Sequence, residues 1–253
     1  MFGAAGYSMA MLRRQAANID RLLLPPLCAF CRTPLRDGER GLCAPCRVDL
    51  PANDSCCPRC AVPLAANPGA APCASCQSRP LPFETVVAPY RYAFPVDQAV
   101  QALKFRGRLE FVTVFTPAMM RALDGAACDI DCVVPVPLHW LRHGHRGFNQ
   151  AVELARPVAD VLGLPICRQV LRRRRTRPQS GLDAGNRRTN LRGAFRVGGA
   201  LHSGHALIID DVMTTGATVA ELARCLHANG VERISVLVAA RAAAHAQAGV
   251  AKV

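Results

Sequence analysis

The segment Ala206–Thr218 constrains the fold of this chain more than any other. Four apolar residues, Ala206-Leu207-Ile208-Ile209, run into two adjacent aspartates, Asp210 and Asp211. Val212-Met213 and the small, hydroxyl-rich run Thr214-Thr215-Gly216-Ala217-Thr218 follow. Val219, Leu222, Ala223 and Leu226 then recur at helical spacing. An apolar run without polar alternation marks a strand buried on both faces. Such a strand leading directly into an amphipathic helix is half of a βαβ unit, and it predicts a parallel sheet with crossover helices. The rest of residues 83–241 agrees with that alternation. Strands are predicted at Thr85–Tyr92, Cys132–Pro137, Ala206–Asp210 and Ile234–Ala239, and helices at Val96–Phe105, Glu110–Leu123, Asn149–Leu162 and Gly216–Asn229. Gly230 is placed as a helix C-terminal cap. Pro117 and Pro157 predict kinks or early ends in two of the helices.

The same segment carries chemistry. Ligands of open α/β sheets bind at the carboxyl ends of the strands. A helix N-terminus there offers unpaired N–H groups and the positive end of a dipole to a phosphate. Thr214, Thr215 and Thr218 add hydroxyl donors, and Gly216 permits close backbone approach. Two carboxylates beside a phosphate repel it unless they serve sugar hydroxyls or Mg²⁺. Asp210 and Asp211 therefore point to a ribose phosphate.

Nine of the thirteen cysteines lie between residues 28 and 76. Eight form four CxxC pairs, Cys28/Cys31, Cys43/Cys46, Cys57/Cys60 and Cys73/Cys76, separated by eleven, ten and twelve residues. Two CxxC turns complete a tetrahedral thiolate shell for Zn²⁺, so the pattern predicts two zinc ribbons in tandem over residues 22–80. Sequential pairing of the turns is the simplest, and crossed pairing stays open. Cys56 adjoins Cys57, but the CxxC register favours Cys57. Four thiolates leave no position for a catalytic water, so the zinc is expected to be structural. Cys128, Cys132, Cys167 and Cys225 show no ligand spacing and are expected to be small core residues.

The chain has 253 residues, 51% of them hydrophobic, and a formal charge of +13. That charge favours polyanionic partners. Leu22–Leu24 is closed by Pro25 and Pro26, far short of the ~20 apolar residues a membrane span needs. The N-terminal stretch has its basic pair, Arg13-Arg14, after its weakly apolar part, the reverse of a secretory signal, so a cytoplasmic location is expected. Residues 1–21 and 242–253 are expected to be peripheral.

The string from Ala206 to Thr218 resembles the signature of type I phosphoribosyltransferases, which bind phosphoribosyl pyrophosphate (PRPP). Together with Asp131-Cys-Val-Val-Pro-Val-Pro-Leu, Arg142, Arg146-Gly-Phe-Asn-Gln and the fourfold CxxC head, the chain over residues 22–241 resembles the ComF family. That resemblance implies an N-terminal double zinc ribbon and a phosphoribosyltransferase domain at 83–241. It implies that Asp210 and Asp211 hold the ribose 2′- and 3′-hydroxyls, partly through Mg²⁺, and that Thr214, Thr215, Gly216, Ala217 and Thr218 cradle the 5′-phosphate. Pro137, Leu138 and His139 match the pyrophosphate loop, where Arg142 and Arg146 neutralise the leaving group. One position departs: the purine-salvage branch carries an acid where this chain has Thr214.

From 168 to 192 there are nine arginines and one acid, Asp183. The segment lies where phosphoribosyltransferases carry a lid, and the resemblance implies that Gln179, Arg187 and Asn190 shape it. Arg172, Arg173, Arg174 and Arg175 exceed what pyrophosphate needs and are candidate contacts for single-stranded DNA. Lys104 sits at a helix end with a neighbour the sequence does not identify. Three functions stay open: Mg²⁺-dependent phosphoribosyl transfer, a catalytically silent PRPP sensor that binds single-stranded DNA, and a zinc-ribbon adaptor for partner proteins. ComF relatives are linked to natural transformation, which makes competence-machinery proteins candidate partners.

Overall fold

The computed structural model describes residues 25–66, 69, 71–126, 128–138, 147–172, 193–199 and 203–243. The chain divides into two compact units at the Asp49–Leu50 junction. The smaller unit holds the first ribbon. Cys28 and Cys31 lie on a tight knuckle in which the Cys28 amide donates to Thr33 O and the Arg32 amide to Cys28 O, with Arg32 at φ 62°. Cys43 is the N-cap of helix α1 (Ala44–Val48), and Glu39 accepts from the Ala44 amide at 2.7 Å.

The second ribbon repeats this plan inside the larger unit. The Cys57 amide donates to Val62 O and the Ala61 amide to Cys57 O, with Ala61 at φ 54°. Cys73 caps helix α2 (Ala74–Ser78). The thiol sulfurs form two groups, Cys28/Cys31/Cys43/Cys46 and Cys57/Cys60/Cys73/Cys76. The pairing of CxxC turns is therefore sequential, and Cys57 rather than Cys56 belongs to the second group. Sγ–Sγ separations are 3.6 Å for Cys31–Cys43, 3.8 Å for Cys60–Cys73 and 3.9 Å for Cys57–Cys76. A tetrahedral ion held at about 2.3 Å from each sulfur has S···S edges of about 3.8 Å, so the geometry fits zinc. Burial works against ionising Cys57, but the amides of Cys73, Cys60 and Arg59 outweigh it and bring the thiol down to about 7.

The larger unit contains a five-stranded parallel sheet. Its strands are β1 (Thr85–Val87), β2 (Tyr90–Arg91), β3 (Cys132–Pro135), β6 (His205–Met213) and β7 (Arg233–Arg241). The order is β1-β7-β6-β3, and β2 continues alongside β7 after β1. The predicted strand Thr85–Tyr92 is thus interrupted at Ala88-Pro89, where proline removes a ladder donor. A separate antiparallel pair, β4 (Val170–Arg172) and β5 (Phe195–Val197), brackets the arginine-rich segment and was not legible from periodicity.

β6 and β7 are buried on both faces. Ile208 and Val236 pack with Val219, Leu222 and Leu226 of α6 (Ala217–His227). The sheet's opposite face receives α4 (Glu110–Leu123) and α5 (Gln150–Leu162). Helix α3 (Val96–Arg106) precedes them and packs on α4. Pro117 and Pro157 sit inside α4 and α5 without ending either helix. Among the unassigned cysteines, Cys132 is buried and Cys167 and Cys225 pack on the core, whereas Cys128 is exposed. Gly230, at φ 95°, closes the turn after α6, two residues beyond the cap at Ala228.

The second Cys group shares its unit with the sheet. The Val86 amide of β1 donates to Arg59 O, and Ala61 belongs to the sheet's own apolar core. Cys57→Ser is expected to lower zinc from two ions per chain to one and to lower the unfolding temperature of the sheet. Cys31→Ser is expected to cost one zinc and leave that transition in place. Metal analysis with thermal unfolding by circular dichroism checks both, and equal destabilisation by the two variants contradicts the assignment.

Candidate functional site

β6 delivers the aspartate pair. It was expected to end at Asp210 but continues to Met213, because β7 pairs with it as far as Met213↔Arg241. Asp210 and Asp211 therefore both lie within β6, with their carboxyls close enough to interact. Asp211 is 4% exposed and Asp210 is half-buried. Each carboxylate accepts from the next amide along the strand, Asp210 Oδ1 from Asp211 N at 2.9 Å and Asp211 Oδ1 from Val212 N at 2.8 Å.

Two neighbouring carboxylates, one buried and one half-buried, need a cation, and Lys104 supplies it. It reaches from the last turn of α3 to Asp211 Oδ2 at 3.0 Å. Burial works against the Lys104 charge, but the carboxylates of Asp211 and Asp210 hold its pKa above the ordinary value. The Asp210 carboxyl is pushed up to about 8, first by burial and then by Asp211, with Lys104 pulling the other way. No spacing rule connects Lys104 with Asp211, which lie in different elements far apart in the chain. The sequence offered only a helix-end lysine.

The loop from Thr214 to Gly216 follows. Thr214 and Thr215 are exposed, and the Thr215 hydroxyl accepts from the Ala217 amide at 3.4 Å. Gly216 is the N-cap of α6 at φ 76°, and a Cβ there would lie 2.5 Å from Met213 Cε. The left-handed backbone favours glycine there, and a Cβ would in addition displace the flexible end of the Met213 side chain. The α6 N-terminus that opens at Ala217 presents the amides of its first turn.

Pro137 and Leu138 are half-buried beyond the end of β3. Asn149 ties this stretch to α5. Its Oδ1 accepts from Ala151 N at 3.1 Å while its Nδ2 donates to Val136 O at 3.0 Å. Gln150 is 3% exposed and donates to Lys104 O at 3.3 Å. The Asn-Gln pair was legible as a motif, but its work of joining α3, α5 and the end of β3 was not. Asp131 lies just before the N-terminal end of β3 and accepts from His205 N at 2.8 Å, so that motif residue registers strands rather than facing the site. His139, Arg142, Arg146, Arg173, Arg174, Arg175, Gln179, Arg187 and Asn190 lie outside the described residues, and Arg172 is described by its backbone alone.

Arg241 was missed altogether as a site residue. It ends β7 with 6% exposure, and its guanidinium donates to the carbonyls of Met213 and Thr214 where β6 gives way to the loop before α6. A charged residue closing an apolar strand is the signal that would have singled it out.

Asp210 has a definite pH signature. Its folded pKa lies above the ordinary aspartate value of about 3.9, so the unfolded chain gives up the proton first. Its contribution to stability therefore falls as pH rises from about 4 toward about 8. Asp210→Asn is expected to remove that slope and to raise the unfolding temperature at pH 8–9 by ~2 °C or more. Calorimetric scans across pH check this, and an unchanged slope contradicts a raised Asp210.

Comparison with known proteins agrees with this geometry. Residues 19–77 match the double zinc ribbon domain family, and residues 149–251 match the phosphoribosyl transferase domain family. The chain is 37% identical over 221 residues to DNA utilization protein YhgH of Salmonella typhimurium, covering 85% of this chain and 96% of that protein. It is 35% identical over 222 residues to the protein of that name in Escherichia coli strain K12, with the same coverage. Competence protein F of Haemophilus influenzae is 29% identical over 224 residues, again with 85% and 96% covered. Two sequential four-cysteine groups, a parallel sheet that carries an aspartate pair and a glycine-capped loop into the next helix thus coincide with relatives over most of the chain, and the protein belongs to the ComF family, which joins a double zinc ribbon to a phosphoribosyltransferase domain.

Proposed function

We propose that the chain binds Mg·PRPP where β6 runs into α6, and that it transfers the phosphoribosyl group to an acceptor. The observation that supports this most is the placement of Asp210-Asp211 three residues before a loop capped by left-handed Gly216. The loop amides and the hydroxyls of Thr214, Thr215 and Thr218 take the 5′-phosphate. Asp210 and Asp211 take the ribose hydroxyls. Mg²⁺ supplies charge neutralisation for the pyrophosphate when bound, and Asp210 and Asp211 are the residues that would hold it beside the ribose. Arg142 and Arg146 take the leaving group's charge, with Pro137, Leu138 and His139 forming its loop and Gln179, Arg187 and Asn190 closing the lid.

In transfer, the C1′–O bond to pyrophosphate breaks with its electron pair leaving on the pyrophosphate oxygen. The acceptor then bonds to C1′ and gives up a proton. Fixed cations lower the cost of the departing charge, and a closed lid keeps water from C1′. Thr214 is exposed where the purine-salvage branch has an acid, which favours an acceptor that needs no carboxylate assistance. The replacement of Asp210 and Asp211 together by Asn is expected to abolish Mg·PRPP binding in titration calorimetry while two zinc ions per chain remain. Retained binding refutes the assignment.

A second reading is favoured by the names of the relatives, DNA utilization protein and competence protein. Single-stranded DNA is a further ligand, held by Arg172–Arg175. Each phosphate neutralised on a single strand changes log K by about −0.7 per unit of log salt. Replacing these four arginines by Ala is expected to reduce the magnitude of that slope by about 3. Affinities measured across a salt series check this. A slope that does not change removes these residues from DNA binding.

A further inference from the structure

Arg241 joins two parts of the molecule that have so far been described separately. Its Nε donates to the carbonyl of Cys60 at 2.9 Å, and Cys60 belongs to the second four-cysteine group. Its Nη1 donates to Met213 O at 2.9 Å, to Thr214 O, and to Ala242 O at 2.8 Å. The Ala242 amide also donates to Met213 O at 3.0 Å. One buried guanidinium therefore spans the metal-binding knuckle and the first two peptides of the phosphate loop.

Peptide planarity gives this contact a direction. In a trans peptide the C=O and the following N–H point opposite ways. Met213 C=O shares its plane with Thr214 N–H, and Thr214 C=O shares its plane with Thr215 N–H. Drawing both carbonyls toward Arg241 turns the Thr214 and Thr215 amides away from it, toward the open side of the loop where both residues are exposed.

Charge makes the contact reciprocal. Among the described residues, the hydrogen-bond acceptors of Arg241 are carbonyls, with no carboxylate among them. A buried cation with only dipoles around it is costly. Four thiolates around one Zn²⁺ carry a net charge of −2, and Cys60 provides one of them. Zinc in the second ribbon thus stabilises Arg241 in place, and Arg241 in place orients the loop.

We propose that Arg241 is a positioning residue of the phosphate loop, and that through it the metal state of the Cys57/Cys60/Cys73/Cys76 site controls ligand binding at residues 214–218. This rests on the reading of that loop as a phosphate cradle. Reciprocity requires that ligand in the loop also tighten zinc in the second ribbon, and only there.

The test uses the full-length zinc-loaded chain and Arg241→Lys, which keeps the charge but not the fork. The expected result for Arg241→Lys is two zinc ions retained, amide exchange in the 213–216 stretch at least tenfold faster, and exchange in 206–209 unchanged. Loop exchange equal to wild type overturns the proposal, as does faster exchange spread over the whole sheet. Zinc release to a chromogenic chelator gives the second arm. Saturating Mg·PRPP is expected to slow release of one of the two zinc ions several-fold in wild type and of neither in Arg241→Lys. Insensitive release in a protein that calorimetry shows to bind Mg·PRPP overturns the coupling. If wild type binds no Mg·PRPP, the ligand assignment fails, and the loop exchange of Cys73→Ser against Cys31→Ser decides the coupling alone. Faster loop exchange in Cys73→Ser only supports it, and any other pattern overturns it.

Discussion

The parallel ladder between β6 and β7 runs from His205↔Arg233 to Met213↔Arg241 and sets everything around it. Both strands are covered on both faces, so their interior positions are filled by Leu207, Ile208, Ile209, Val236 and Leu237, all fully buried. At ~1.5–3 kcal/mol for each such side chain, their burial is a substantial part of the larger unit's stabilisation. The ladder also does two local things. It carries Asp210 and Asp211 past the point where the apolar run ends, and it seats Arg241 beside Met213. The loop between β6 and α6 starts at a place fixed by strand pairing on one side and by a guanidinium on the other.

Holding two carboxylates side by side in that position opposes folding. Lys104 relieves part of the repulsion, but burial first and the remaining repulsion second leave an Asp210 that takes up a proton well above the ordinary aspartate range. Carboxyls perturbed this strongly by burial and a neighbouring charge cluster at functional sites. Asn149 and Gln150 serve the same site differently, by fixing the Lys104 carbonyl and the end of β3 to the start of α5.

The two zinc ribbons are alike in sequence and unlike in placement. Each has a knuckle with a left-handed residue after its second cysteine and a second pair on a short helix. The first is in the unit that ends at Asp49, and the second is in the unit of the sheet. Nothing in the spacing of the cysteines distinguishes them. The difference comes from what surrounds the second knuckle: Ala61 in the sheet's core, Arg59 bonded to Val86, and Cys60 bonded to Arg241.

The sequence by itself determined the features that depend on local chemistry. Four CxxC pairs specify two tetrahedral thiolate sites, because each pair aims two sulfurs at one point. The apolar run before Asp210 specifies a buried parallel strand, and Gly216 specifies the turn into α6. Most of the element list followed from the same rules; the exceptions are the short helices α1 and α2, the break between β1 and β2, the short β4–β5 pair and the helices that continue through Pro117 and Pro157. Tertiary structure alone decided which cation meets the aspartates, how far β6 extends, and that Arg241 bridges Cys60 to Thr214. These are contacts between residues from 27 to 181 positions apart. Periodicity and motif spacing report on neighbours along the chain, whereas these partners are selected by packing once the sheet has formed.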